Sequence, residues 1–412
     1  DLGGAEHAGD CGTGPERARS GGRLIVSDDS ALMRNLVTRI VEGTEGLHVA
    51  ATAMNGQFAL DKIPLVKPDV IVLDIEMPVM NGVEFLKERK KRGWDIPVII
   101  LSSVATEGAA VTMECLELGA SDFITKPGGS ISTDLTEVSE HLVELLASYG
   151  YAYAHAHGKK THDPDYFSHQ LKMRDAERFV AEKKGIAPAK NPAIAPTLWN
   201  QNAEKNKEPA VVTPIREGGR IEVVAIGIST GGPNALRDVF KDIDVRFPLP
   251  ILVVQHMPAG FTAEFANSLD RICPLDVTEA KDGDLILPAH VYIAPGNYHI
   301  YVARQGTDFV IKLSQDPLRN GHRPSADYLF ESVAKIYQNH ALGVIMTGMG
   351  RDGAAQLAEM RKQGAWTLGQ DEASSIVYGM PKVAWELGAV QEQVPLERMA
   401  EKINELVRAH LK

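Results

Sequence analysis

The sequence predicts an α/β protein with two doubly wound parallel-sheet domains joined by a long linker. Three observations predict it. Apolar runs of strand length alternate with helix-like stretches over residues 23–146 and again over residues 220–412. Between them, residues 147–219 lose that periodicity and become rich in Pro, Ala, Asn and Lys, most plainly from Tyr151 to Ile215. At 412 residues the chain also exceeds one ordinary core.

In chain order, residues 1–22 are Gly-rich and polar with no apolar segment, and read as a disordered or appended tail. The first domain then offers five strands: RLIVSDD, LHVAATA, PDVIVLD, IPVIILSS and SDFITKP. In the linker, FSHQLKMRDAERFVAEKK has the pattern of one exposed helix. The second domain offers IEVVAIGIS, PILVVQHM, HVYIAPG, DFVIKL and ALGVIMTG, and closes with the amphipathic VPLERMAEKINELVRAH.

Composition narrows the function. A net charge of −11 and a pI near 5.7 argue against nucleic acid as the main partner. Cys11, Cys115 and Cys273 lie far apart and form no CxxC pair, so neither a disulfide framework nor a zinc knuckle is indicated, and a reducing cytoplasm fits. The apolar stretches fall short of the roughly 18 residues that span a bilayer, so no membrane insertion is expected. The chain is read as a monomer.

In the first domain, Asp28 and Asp29 close one strand and Asp74 closes another. Parallel strands bring such ends to one edge, where open α/β sheets bind ligands. Three carboxylates meeting there repel one another unless a cation joins them, and an all-oxygen site suits magnesium. Asp74 is then a candidate phosphoryl acceptor, with Ser102 and Lys126 at neighbouring strand ends to contact phosphoryl oxygens. A single strand-end Asp more often caps a helix. Four successive strand ends carrying DD, D, S and KP weaken that reading.

The motifs SDDS, DIEMPVMNG, LSS and DFITKP resemble those of response-regulator receiver domains, which have a flavodoxin-like fold. The resemblance implies phosphorylation of Asp74 by a histidine kinase and magnesium held with Asp28 and Asp29. It also implies sensing by Ser102 and Lys126, and a switch aromatic at Phe123.

In the second domain, GISTGGPNAL follows the strand EVVAI. Glycines permit a sharp turn, and Pro233 suits the first turn of a helix whose free N–H groups face an anion. A dinucleotide site is disfavoured because the spacing is not GxGxxG and the next strand ends in Gln255 and His256, not in an acid. A Walker loop is excluded because no Lys-Ser or Lys-Thr pair follows this turn. GISTG does fit GxSxG, which exposes a serine at the top of a sheet.

A serine nucleophile needs a base, and the base needs an orienting group. His256 stands at the end of the next strand, with His322 in NGHRPS as the rival. Asp352, in the strand-end loop MGRDG, is the candidate acid, although a helix cap is the simpler role for it. The order Ser229, His256, Asp352 differs from that of α/β-hydrolases, for which His410 alone follows the acid.

Together GISTGG, VVQHMPAGFT, VYIAPGNYH, GHRPSADYLFESVA, VIMTGMGRDGA and ASSIVYGMPKVA resemble the catalytic domain of the chemotaxis receptor methylesterases, the CheB family. That resemblance implies a Rossmann-like three-layer α/β/α domain with Ser229 as nucleophile, His256 as base and acid, and Asp352 as orienting carboxylate. Oxyanion donors are then expected at the Thr230 turn and the Met349 loop. It further implies hydrolysis of glutamate γ-methyl esters on chemoreceptors, deamidation of receptor glutamine, and no cofactor for the esterase chemistry. The family also implies inhibition by an unphosphorylated receiver, which the long tether is expected to weaken. A phospho-controlled binding module without esterase activity is the alternative, and a transcription factor lacks the basic surface it needs.

Overall fold

Strand-end carboxylates converge only if the five N-terminal strands are parallel, and they are. The computed structural model describes residues 22–103, 106–126, 132–159 and 209–411. Strands β1 (Gly22–Ser27), β2 (Leu47–Ala53), β3 (Val70–Asp74), β4 (Val98–Ser102) and β5 (Asp122–Thr125) form one sheet in the order β2-β1-β3-β4-β5. β3 and β4 are buried throughout, as continuous apolar runs of a sheet covered on both faces should be. The covering helices are α1 (Ala31–Glu42), α2 (Gly56–Val66), α3 (Gly82–Lys91), α4 (Thr106–Glu117) and α5 (Ser132–Ala156). Asn81 and Glu84 close a reciprocal capping box at the start of α3.

α5 runs through Leu146, where the first domain is expected to end, and continues to Ala156. Leu142, Val143, Leu145, Leu146, Ala147 and Tyr149 are all buried, so the same apolar stripe carries the helix onward. At the other end, residues expected to be linker pack on the C-terminal domain, where the Ala210 amide donates to Glu386 O at 3.0 Å and that of Ile215 to Lys362 O at 2.8 Å. The expected linker helix and almost all of the N-terminal tail lie outside the described residues.

The C-terminal domain contains β6 (Val223–Ile228), α6 (Gly232–Lys241), β7 (Ile251–Gln255), α7 (Phe261–Asp270), β8 (Asp276–Glu279) and β9 (His290–Ile293). It continues with β10 (His299–Gln305), β11 (Asp308–Ser314), α8 (Ala326–Ile336), β12 (Ala341–Ile345), α9 (Ala354–Gln363), β13 (Trp366–Gln370), α10 (Met380–Glu386), β14 (Glu392–Val394) and α11 (Leu396–Ala409). Seven strands form a parallel sheet in the order β14-β13-β12-β6-β7-β9-β8. β10 and β11 pair separately as an antiparallel hairpin.

Along β6, Val224, Ile226 and Ile228 enter one apolar layer with Leu236, Phe240 and Phe265, while Val223 and Ala225 enter the other with Phe330 and Val333. The sheet is therefore sandwiched between helices, and a buried side chain such as Phe330 or Phe240 contributes up to about 3 kcal/mol. Close helix–sheet packing depends on Gly227, where a Cβ would lie 2.7 Å from Ala326 Cβ.

Candidate active site

The sheet order reverses between β6 and β12, and the crevice outside the C-terminal ends of the strands there is where such sheets bind ligands. Ser229 follows β6, His256 follows β7 and the loop after β12 carries Asp352. Ser229 Oγ lies 3.0 Å from His256 Nδ1, and His256 Nε2 lies 2.8 Å from Asp352 Oδ2. Ser229 is 8 % exposed and Asp352 1 %, so the relay runs from the cleft into the protein.

The turn that carries Ser229 is fixed from several sides. Its amide donates to Thr347 O at 2.9 Å, and its carbonyl accepts from the Gly232 amide at 2.7 Å and from Gln255 Nε2 at 3.0 Å. Gly231 has φ 79°, a left-handed conformation that favours glycine. Gly232 has no room for a Cβ because the Gln255 amide fills that space. Gly348 runs behind the serine: a Cβ there would lie 2.8 Å from Ser229 Cβ and would also strike Met380 Sδ.

Asp352 is held by the loop before α8. Its Oδ1 accepts from Ser325 Oγ at 2.6 Å and Asn320 Nδ2 at 2.9 Å, and its Oδ2 from the Ala326 amide at 2.6 Å. Burial alone would raise its pKa, but His256 and these hydrogen bonds win and hold the carboxyl well below the usual range. Asp352 is thus an acceptor for the groups around it, His256 Nε2 among them. His322 supplies no hydrogen bond to Ser229; its ring stacks on His256 with centroids 3.8 Å apart and planes 15° from parallel. His410 stacks on Trp366 instead. Thr230 and Met349 both line the cleft beside Ser229.

Sequence reading missed Asn320, Ser325 and Gln255. Two of them carried signals: Asn320-Gly321 is a turn dipeptide, and Ser325 caps α8, accepting from the Tyr328 amide at 3.4 Å. Gln255, at the end of β7, argues in sequence only against a ribose site.

In the N-terminal domain, ligand atoms of Asp28, Asp29 and Asp74 lie within 4.8 Å of one another. Lys126 Nζ lies 2.7 Å from Asp74 Oδ1 and 3.1 Å from Asp28 Oδ2. Asp74 Oδ2 is buried with no hydrogen-bond partner. Burial, together with the Asp28 charge and against the pull of Lys126, raises the Asp74 pKa to about 6. A buried, orphaned carboxylate oxygen among three acids fits a divalent cation. The Ser102 hydroxyl is engaged by Thr112 Oγ1 at 2.7 Å.

The two domains meet through α4, β5 and α5. Phe123 stacks on Phe261 with centroids 4.8 Å apart. Asp122 Oδ2 accepts from the Gly231 amide at 3.0 Å, and Asn234 Nδ2 donates to Ala120 O and Ser121 O at 3.0 Å each. Arg271 Nη2 pairs with Glu117 Oε1 at 2.6 Å. Glu140, His141 and Glu144 of α5 line the same cleft as Ser229 and His256.

Comparison with known proteins bears on both domains. The model of the CheB methylesterase domain matches residues 224–403, and that of the response regulator receiver domain matches residues 24–136. The crystal structure of the Thermotoga maritima CheB methylesterase catalytic domain is 38% identical, with a TM-score of 0.44, and covers 46% of this chain and 100% of its own. The protein-glutamate methylesterase/protein-glutamine glutaminase of Halalkalibacterium halodurans is 39% identical over 383 residues, which is 92% of this chain and 97% of the relative. That of Treponema denticola is 54% identical over 382 residues, 93% of this chain and 97% of the relative. Matched nearly end to end, across receiver and catalytic domain alike, the chain belongs to the family of receiver-coupled CheB methylesterases.

Proposed function

We propose that this chain is a phosphorylation-regulated protein-glutamate methylesterase and protein-glutamine glutaminase, with Ser229 as nucleophile. The observation that carries the reading is the continuous relay from Ser229 Oγ through His256 to Asp352, at 3.0 and 2.8 Å.

His256 Nδ1 takes the Ser229 proton as Oγ attacks the γ-carbonyl of a glutamyl methyl ester. Asp352 holds the ring and stabilises the imidazolium that forms. The N–H groups of Thr230 and Met349 receive the oxyanion, a role supported by the position of both residues on the lining of the cleft. Collapse breaks the C–OCH3 bond, and the proton on Nδ1 leaves with methanol. A water then gives a proton to Nδ1 and its oxygen to the acyl carbon, and Ser229 departs with that proton, leaving glutamate. A side-chain amide follows the same course, with ammonia in place of methanol. The substrates are helical cytoplasmic segments of chemoreceptors, and the protein works in the cytoplasm.

In the receiver, Asp74 accepts a phosphoryl group from a histidine kinase. Asp28, Asp29 and Asp74 would hold Mg2+, which neutralises charge on the transferring group. Lys126 is within reach of a phosphoryl oxygen on Asp74, and Ser102 must leave Thr112 to join it. The docked receiver restricts the cleft, and phosphorylation shifts the population toward an open arrangement. The Phe123–Phe261 stack and the Asp122–Gly231 hydrogen bond support this reading, because the first couples Phe123 to the helix that follows the His256 loop and the second couples the strand next to Lys126 to the turn that carries Ser229.

The test measures two products. Receptor carrying labelled methyl esters and receptor carrying glutamine at the same positions are each given to wild type and Ser229→Ala. Loss of methanol and ammonia together in the variant supports one serine site for both reactions, whereas retention of either reaction contradicts it.

A further inference from the structure

The relay leaves one ring unassigned. His322 lies face to face with His256, 3.8 Å away and 15° from parallel, without entering the hydrogen-bonded chain. Its position is built. Arg319 and His322 exchange backbone hydrogen bonds at 3.1 and 3.0 Å across Asn320-Gly321, whose φ angles of 53° and 82° are those of a primed two-residue turn. Asn320 uses its side chain to hold both Asp352 Oδ1 and Asp327 Oδ2, at 2.9 and 2.6 Å. Arg323 ties the far side of the loop to the carbonyls of Gln315 and Asp316 and to Asn297 Oδ1. The loop that orients the acid therefore also presents the face of a second imidazole to the base.

We infer that His322 is a positioning residue for the esterase reaction, a neutral ring on which His256 stacks so that Nδ1 faces Ser229 and Nε2 faces Asp352 while His256 carries the transferred proton. The inference rests on the Ser-His-Asp reading above. An imidazole ring turns about one bond, and only one of its two flat orientations puts nitrogen toward both partners; a parallel ring against its face restricts the tilt away from that plane. The face of an uncharged aromatic ring also attracts a cation, so it favours the imidazolium of the transition state, whereas a charged ring would oppose it.

The groups around His322 bear on that charge. His256 faces it from the end of β7, Asp352 from the loop after β12 and His141 from α5, with Arg319 and Arg323 flanking it on its own loop. Burial is the largest influence and, with the charge of His256, pushes His322 down to about 3, against the pull of Asp352. Near neutral pH the ring is therefore uncharged.

Three variants of the full phosphorylated chain separate this role from packing, with kcat, KM and the pH profile of kcat/KM measured on methylated receptor. His322→Phe keeps a neutral stacking ring and is expected within about threefold of wild type with an unmoved acid limb. His322→Ala is expected to lose about 10- to 100-fold in kcat with little change in KM. His322→Arg stacks a permanent charge and is expected to fall below Phe, with its acid limb displaced to lower pH. Thermal midpoints report folding, and Phe rescuing what Ala loses keeps the test valid if Ala is unstable. Full activity in Ala, a Phe variant as slow as Ala, or an Arg variant with the profile of Phe would each overturn the inference. Ser229→Ala run alongside separates the two claims: an active Ser229→Ala overturns the serine mechanism itself, whereas an inactive one beside a fully active His322→Ala overturns the role of His322 alone.

Discussion

The Asp122 carboxylate of the receiver accepts a hydrogen bond at 3.0 Å from the Gly231 amide, at the start of the helix that follows Ser229. Asp122 opens β5, the strand that leads to Lys126 beside Asp74. One short strand thus joins the acidic cluster of the receiver to the turn that carries Ser229.

Removing that contact should loosen the docked state. Asp122→Ala leaves the Gly231 N–H without its partner while the Tyr149 hydroxyl keeps Ser121 O, and Asn234→Ala strips two more interdomain bonds. A loss of about 1–3 kcal/mol shifts the closed-to-open balance by about 5- to 150-fold. The unphosphorylated rate of methanol release should rise in both variants, and its stimulation by phosphodonor should shrink.

The same carboxyl makes docking depend on pH. Burial, the largest effect, raises the Asp122 pKa against the opposing hydrogen bonds of Gly231, Phe123 and Tyr149 and the charge of His141. A group whose pKa is raised in the docked state favours docking when protonated. Docking is therefore strongest below the ordinary carboxylate value of about 3.9 and weakens as pH rises through the raised value. The ratio of unphosphorylated to phosphorylated activity should rise with pH across that window, and Asp122→Asn should flatten it.

Asp352→Asn replaces an acceptor with a group that donates on one side. Ser325 Oγ, Asn320 Nδ2, the Ala326 amide and His256 Nε2 all aim donors at this carboxylate. A fall in kcat of about 10⁴-fold is expected, as for a triad whose base is held in the wrong tautomer. Steady-state kinetics beside a thermal unfolding curve would show the loss without global unfolding.

Gly348→Ala should damage the site without replacing any triad residue. Its Cβ would meet Ser229 Cβ at 2.8 Å, so the serine or the loop after β12 must shift. A loss of about 10- to 100-fold in kcat is expected, with about 1–3 kcal/mol of destabilisation.

Chelating divalent cations should abolish stimulation by a small phosphodonor while the unstimulated rate persists. Phosphoryl transfer to Asp74 needs its charge neutralised among Asp28 and Asp29, whereas the proposed Ser229 relay moves protons along its hydrogen bonds to His256 and Asp352. Phosphate incorporation and methanol release, followed together, check both halves.

Much of this was legible in sequence because parallel sheets write their sites at strand ends. Runs such as PDVIVLD and ILVVQH each end in the residue that faces the crevice, and the glycines of GISTGG mark where side chains are excluded. The exact end of α5 was not legible, since its stripe weakens to YGYAYAHA while burial of Tyr149 and Ala154 still holds it to the receiver. Asn320, Ser325 and Gln255 were hidden for another reason. They act through contacts between segments distant in the chain, such as Asn320 with Asp352, and a turn dipeptide or a helix cap does not announce what else its side chain holds. The role of Phe123 at the interface depended likewise on Phe261 in the other domain.

The most direct test gives methyl-labelled receptor to the full chain and follows methanol, comparing wild type with Ser229→Ala, each with and without phosphodonor and magnesium. The account predicts release by wild type that rises with phosphodonor, and a fall of about 10⁴- to 10⁶-fold in the variant under both conditions. Wild-type release that ignores phosphodonor would contradict the receiver's control of the cleft, and release that survives in Ser229→Ala would contradict the serine mechanism.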